Sequence, residues 1–163
     1  MTLNDDDNDN DNDKGGERTS RALLERFYAA EARYIAAGGP GKADFSEMAA
    51  CLDPDVVMYQ AEGLPYGGTW RGPEGIEGFM AAMSEAWDSL EFMEQRYVVD
   101  GDRVAVFNLG RLRARATGRV LDTAVMQLIT FGNGLITEIR PFYLDTIAVA
   151  EALGVRRTPV EAA

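Results

Sequence analysis

Past Leu90 the apolar residues of this chain stop recurring at helical spacing and begin to alternate with polar ones. Four long segments, 92–99, 103–117, 119–131 and 135–144, follow this pattern, which is the period of a strand half buried against a core. Between them stand Asp100-Gly101-Asp102, Thr117-Gly118 and Gly132-Asn133-Gly134, residues that tolerate positive φ and close hairpins. Successive hairpins make an antiparallel meander, and a sheet of that size must bury one face against another layer. The earlier half of the chain has to supply that layer.

It has the means. Thr19 or Ser20 can cap a helix that runs to Ala37 and stops at Gly38-Gly39-Pro40-Gly41,. Leu23, Leu24, Phe27, Tyr28, Ala30, Tyr34 and Ile35 recur along it as one wide apolar stripe,. Tyr28 and Tyr34 are expected in the core, with their hydroxyls reaching a rim. A short helix over 45–51, a strand over 56–60 and a loop AEGLPYGGTWRG come next. Gly72-Pro73-Glu74 then opens a helix bearing Ile76, Phe79, Met80, Met83 and Trp87 on one side,. A terminal helix follows the last strand, with Ile147, Val149, Ala150 and Leu153 as its stripe and Gly154 as its cap,. The expected fold is α+β: a cone-shaped, curved, mostly antiparallel sheet wrapped around a long N-terminal helix. Residues 19–155 form one domain in this reading, between an acidic tail over 1–18 and a C-terminal tail over 156–163. The tail DDDNDNDNDKGG has almost no apolar content and is expected to be disordered,. Its Asp-Asn alternation is a poor calcium loop, since Lys14 stands for the required glycine and Ser20 for the closing glutamate,.

Composition narrows the chemistry. The chain has no histidine, which removes the serine-histidine-aspartate triad, the common zinc sites and the usual base near neutral pH. Cys51 is the single cysteine and reads as a small buried hydrophobe,. No metal and no organic cofactor is expected. A net charge of −11 argues against nucleic acid and anionic membrane surfaces as partners,. No apolar run approaches the roughly 20 residues of a membrane span, so a cytoplasmic setting is expected.

Acid-base work must then fall to carboxyl, phenol, amine or thiol groups. Two aspartates interrupt apolar strands, Asp122 in VLDTAVMQLITF and Asp145 at the end of the last strand. Burial there would raise a carboxyl pKa toward the range useful for proton transfer. Asp145 is also well placed as the N-cap of the terminal helix, and both roles stay open. Glu62, Tyr66 and Trp70 lie in the glycine-rich loop, where they can line a pocket or plug the end of the core. Tyr59, Phe79, Met83, Trp87, Asn108, Met126 and Tyr143 complete the expected pocket. Arg111, Arg113 and Arg115 share a strand face and are expected on an exposed or dimer-facing stripe,.

The stretches YGGTWRGPEGI, GDRVAV, ATGR and GLITE through FYLDT, in this order and spacing, resemble the nuclear transport factor 2-like superfamily. The similarity is to its SnoaL-like polyketide cyclases and covers about 22–154. It implies the cone-shaped fold and a pocket that in different members serves cyclases, ketosteroid isomerases, epoxide hydrolases, dehydratases or plain ligand binding. In the cyclases an aspartate of the last strand acts as acid and base beside a histidine. Asp145 is the nearest match, another register would put Pro141 there, and the histidine is missing from this chain. The epoxide-hydrolase pattern fits less well, because Arg119 and Asp122 are three apart and fall on opposite faces of a strand. The expectation is a cofactor-independent enzyme taking a proton from beside a carbonyl of an apolar small molecule, leading to ring closure or isomerisation. The alternative is a non-catalytic binding or scaffold protein. In either case a homodimer through the outer sheet face is expected.

Overall fold

A computed structural model describes the backbone over residues 7–155 and the side chains over 15–155. The elements run α1 (Asp7–Ala37), α2 (Ser46–Ala49), β1 (Leu52–Gln60), β2 (Gly68–Arg71), α3 (Gly72–Ala86), β3 (Trp87–Asp100), β4 (Arg103–Ala114), β5 (Val120–Gly132), β6 (Leu135–Tyr143) and α4 (Thr146–Ala152). The sheet order is β2-β1-β6-β5-β4-β3. β3 to β6 form the expected antiparallel meander, β2 pairs antiparallel with β1, and β1 joins β6 in parallel. This is the predicted α+β layout: a long helix against a curved, mostly antiparallel sheet.

Several boundaries differ, each for a local reason. Thr19 and Ser20 do not cap α1, which begins at Asp7. Thr19 instead bonds back to the Gly15 carbonyl at 2.9 Å, the interior pattern of a helical threonine,. The expected tail is therefore helical from Asp7, while 1–6 and 156–163 lie outside the described residues. Part of the glycine-rich loop is a strand, β2, because Gly68 to Trp70 find partners in Gln60 to Met58. Trp87 opens β3 rather than closing α3. At the β5–β6 hairpin, Asn133 and Gly134 take φ of 52° and 76°, as the turn chemistry requires,.

The concave face of the sheet and the stripe of α1 enclose the core. Leu24, Phe27 and Ile35 of α1 meet Val104, Val106 and Ile129 of the sheet, with α3 contributing Ile76 and Met80. Buried aromatics pack edge to face, as Tyr28 does on Phe92 at 5.3 Å between ring centres,. Cys51 is a core residue, as expected, and its sulfur accepts from Arg26 at 3.3 Å.

Candidate active site

One cavity opens in the middle of this core, between α1, α3 and the concave sheet face. It offers about 70 Å³ to the centres of water-sized molecules, several times the space that one water needs. Most of its wall is apolar or aromatic, with Phe27, Phe79, Met83, Trp87, Leu90 and Phe92 prominent. α4 closes one side through Val149.

Of the expected pocket residues, Tyr66, Phe79, Met83, Trp87, Asn108 and Tyr143 line this cavity. The others do not. Alternation along β5 turns Val125 and Gln127 inward, so Met126 faces out and is 43% exposed,. Tyr59 is on the outer face of β1, its ring under the Arg140 guanidinium at 4.1 Å. Glu62 is exposed in the loop. Trp70 covers Gly75 and Gly78 of α3, packs edgewise on Phe79 and donates to the Tyr66 carbonyl at 3.1 Å. It supports the pocket from behind.

Neither candidate aspartate reaches the cavity. Asp122 is exposed and gripped by Arg111 in a two-pronged pair, both bonds 2.8 Å. That hydrogen bonding holds its carboxyl below the usual range,. Asp145 is exposed, and its side chain accepts from the Ala148 amide at 2.9 Å. Of its two roles it takes the cap, fixing the helix that brings Val149 to the cavity. The arginine stripe is exposed as expected, Arg111 on Asp122 and Arg113 on Asp88 at 2.6 Å. Arg119 reaches the Glu151 carbonyl rather than Asp122, so the epoxide-hydrolase grouping does not assemble.

The carboxyl in the cavity is Glu31 of α1. It is 8% exposed and has no hydrogen-bond or ion-pair partner among the described residues. Burial pushes its pKa up to about 7, because removing water disfavours the charged form. The sequence carried a signal for it. Glu31 falls at the centre of the stripe formed by Leu24, Phe27, Tyr28, Tyr34 and Ile35, where a carboxyl is costly unless used,.

Two polar groups of side chains face Glu31. Tyr143 donates to the Gln60 oxygen at 3.1 Å, and the Tyr66 oxygen accepts from Trp87 at 3.4 Å. Further along the sheet Tyr28 donates to Gln127, and Gln95 donates to Asn108 at 2.7 Å. Burial raises the phenol pKa of Tyr28, Tyr66 and Tyr143, and the Glu31 carboxylate adds to the effect in all three. The tyrosines are thus neutral donors around one titrating carboxyl. No cluster of three or more metal-ligating side chains occurs among the described residues. No helix among them is long and apolar enough to cross a membrane.

The model of the SnoaL-like domain matches residues 24–139. This chain belongs to the SnoaL-like family. Among its relatives, the uncharacterized protein Rv0034 of Mycobacterium tuberculosis is 30% identical over 129 residues, spanning 77% of this chain and 89% of the relative. Solved structures share the fold at lower identity. A nuclear transport factor 2-like protein from Burkholderia xenovorans superposes with a TM-score of 0.70 at 24% identity, over 83% of this chain and 96% of that one. A putative SnoaL-like polyketide cyclase from Jannaschia gives 0.68 at 18%, over 86% and 94%. In this SnoaL-like chain the inner face of the cone is the cavity just described, and its carboxyl comes from the first helix rather than the last strand.

Proposed function

We propose that the protein is a cofactor-independent proton-transfer enzyme of the cyclase or isomerase kind, acting on a mostly apolar, carbonyl-containing small molecule, with Glu31 as the base. The observation that carries this is an unpartnered carboxyl inside an aromatic cavity, with its pKa raised to about 7. A carboxyl in that state is half ionised near neutral pH, where a general base works best. In the reaction the Glu31 carboxylate takes a proton from the carbon beside the carbonyl. The electron pair of that C–H bond moves into the enolate, whose oxygen takes up the charge. The Tyr66 O–H, bonded to Tyr143 while its own oxygen accepts from Trp87, is the neutral donor that turns to the enolate oxygen, worth a few kcal/mol in general. Glu31, now protonated, returns the proton to the far carbon of a conjugated enolate for isomerisation, the enolate pair forming the new C–H bond. For ring closure the enolate carbon adds to a second carbonyl carbon of the same substrate, whose C–O π pair becomes an alkoxide that takes the proton back from Glu31.

Deuterium exchange at the carbons beside the carbonyl of 2-decalone, followed by NMR, tests this without knowledge of the natural substrate. The native chain accelerates exchange, with a rate that climbs through pH 7 as Glu31 ionises. Glu31→Gln loses about 100-fold or more of the acceleration. Retention of the native rate by that variant, or no acceleration by the native chain, excludes the base role.

The protein also pairs with itself in this proposal. Leu144, Phe142 and Met126 are exposed on the outer face of the sheet, and Met126 is in register with both Phe142 and Phe107. A continuous apolar row of this kind suits a second copy of the same face.

A further inference from the structure

Gly110 is buried in the interior of β4, on the wall of the cavity. The alternation that turns Asn108 and Leu112 inward turns this position inward as well,. A glycine inside a strand costs stability relative to alanine, because it loses more conformational freedom on folding and packs no side chain. Where one stands there, backbone geometry, a close neighbour or a ligand is the reason to look for.

The first two reasons do not apply. Gly110 has extended backbone and is not among the glycines with positive φ. Opposite it β3 carries a bulge, with Met93 between the partners of Gly110 and Leu109, so the local bend of the sheet has its own source,. A Cβ built on Gly110 would lie 3.6 Å from the Cδ1 atoms of Leu112 and Leu90 and 3.7 Å from the Glu91 carbonyl oxygen, all ordinary contacts. Other glycines differ. A Cβ on Gly67 would strike backbone at 2.4 Å, and on Gly75 or Gly78 it would press on Trp70 at 3.3 Å. The fold accepts alanine in place of Gly110, and what the glycine leaves is room in the cavity. The wall there has a dent one methyl group deep, bounded by Leu90 and Leu112, with Phe92 and Thr123 in register on the neighbouring strands.

We infer that Gly110 is a specificity-determining position: its missing side chain seats an apolar branch of the ligand, a methyl group or the first carbon of a longer chain, between Leu90 and Leu112. A charged branch would lose its water there without a counter-charge. The inference rests on the proposed function only in taking the cavity as the substrate site, and it needs no base.

The test uses naphthalene and 2-methylnaphthalene, which carry no carbonyl and so read the dent apart from the chemistry, in NMR titrations of the full-length chain. Burial of the added methyl makes 2-methylnaphthalene bind about fourfold tighter to the native chain. In Gly110→Ala naphthalene binds with native affinity and the ratio falls to one or below. The same variant melts about 2 °C higher than the native chain, since alanine narrows the freedom of the unfolded chain. Equal affinities on the native chain, or no saturable binding of either probe, overturn the inference. So does a fourfold ratio that persists in Gly110→Ala, or an equal loss of both probes. A variant that melts lower or fails to fold assigns the glycine to the bend of the sheet and overturns it too. The base role is read separately from deuterium exchange. Equal affinities with Glu31-dependent exchange sink the dent alone, whereas a ratio that depends on Gly110 without any exchange sinks the base alone.

Discussion

Glu31 and Asp145 show how differently two carboxyls of one chain are employed. For Glu31 the folded pKa of about 7 lies above the ordinary 4.5. Between those values the folded state holds more protons than the unfolded state, so stability falls as pH rises through that window and levels off above it. The loss is on the order of 3 kcal/mol for a shift of this size. Glu31→Gln removes the titrating group, so denaturant midpoints between pH 4.5 and 8 should decline in the native chain and stay flatter in the variant. Parallel curves would mean that Glu31 titrates as an ordinary exposed carboxyl. Asp145 has a different task, as the cap of α4. Asp145→Ala leaves the Ala148 amide without its cap and should cost about 1 kcal/mol, while Asp145→Asn should cost little,. Both should keep the deuterium-exchange rate of the native chain. Loss of exchange in a folded Asp145→Asn would return Asp145 to the chemistry.

The hairpins are the part of the fold most legible in the sequence, because their requirement is local. Asn133-Gly134 announces a turn in the left-handed region, and the structure has both residues there. Nothing lies within 4 Å of a Cβ built on Gly134, so Gly134→Ala tests the backbone alone. It should lower stability by about 1 kcal/mol, and an unchanged melting midpoint would show that the turn relaxes freely. Strand alternation was equally readable, and it put Asn108 and Tyr143 on the inner face. The misplaced residues are those whose position depends on a partner distant in sequence. Met126 and Asp122 were assigned by the polarity of their neighbours, whereas the parity of Val125 and Gln127 decides the matter. Trp70 and Tyr59 were assigned by residue type in a loop or strand whose pairing only the fold reveals. Glu31 is the opposite case, since its setting is purely local and periodic: one carboxyl at the centre of an apolar helical stripe, legible without any knowledge of the fold,.

At the scale of the whole molecule, the sheet has two apolar faces and only one is covered within the chain. Phe142 is 58% exposed, Leu144 80% and Val98 68%, apolar side chains left open on one side of the sheet, as at a contact surface. Phe142, Met126 and Phe107 stand in one cross-strand row, with Arg96 stacked on the Phe107 ring at 5.0 Å as its polar margin. Apolar centre and charged edge are the anatomy of a two-fold interface, which needs about 800 Å² from each partner to be stable. Light scattering of the native chain at micromolar concentration should therefore give twice the mass of one chain. Phe142→Lys, which places a charge in the row in both copies at once, should give a single chain. A native monomer, or a Phe142→Lys dimer, would exclude this face. The cavity lies on the opposite side of the sheet and is enclosed by residues of one chain. The monomeric variant should therefore still exchange the protons of 2-decalone, separating the outer face, where we propose assembly, from the inner face, where we propose the chemistry.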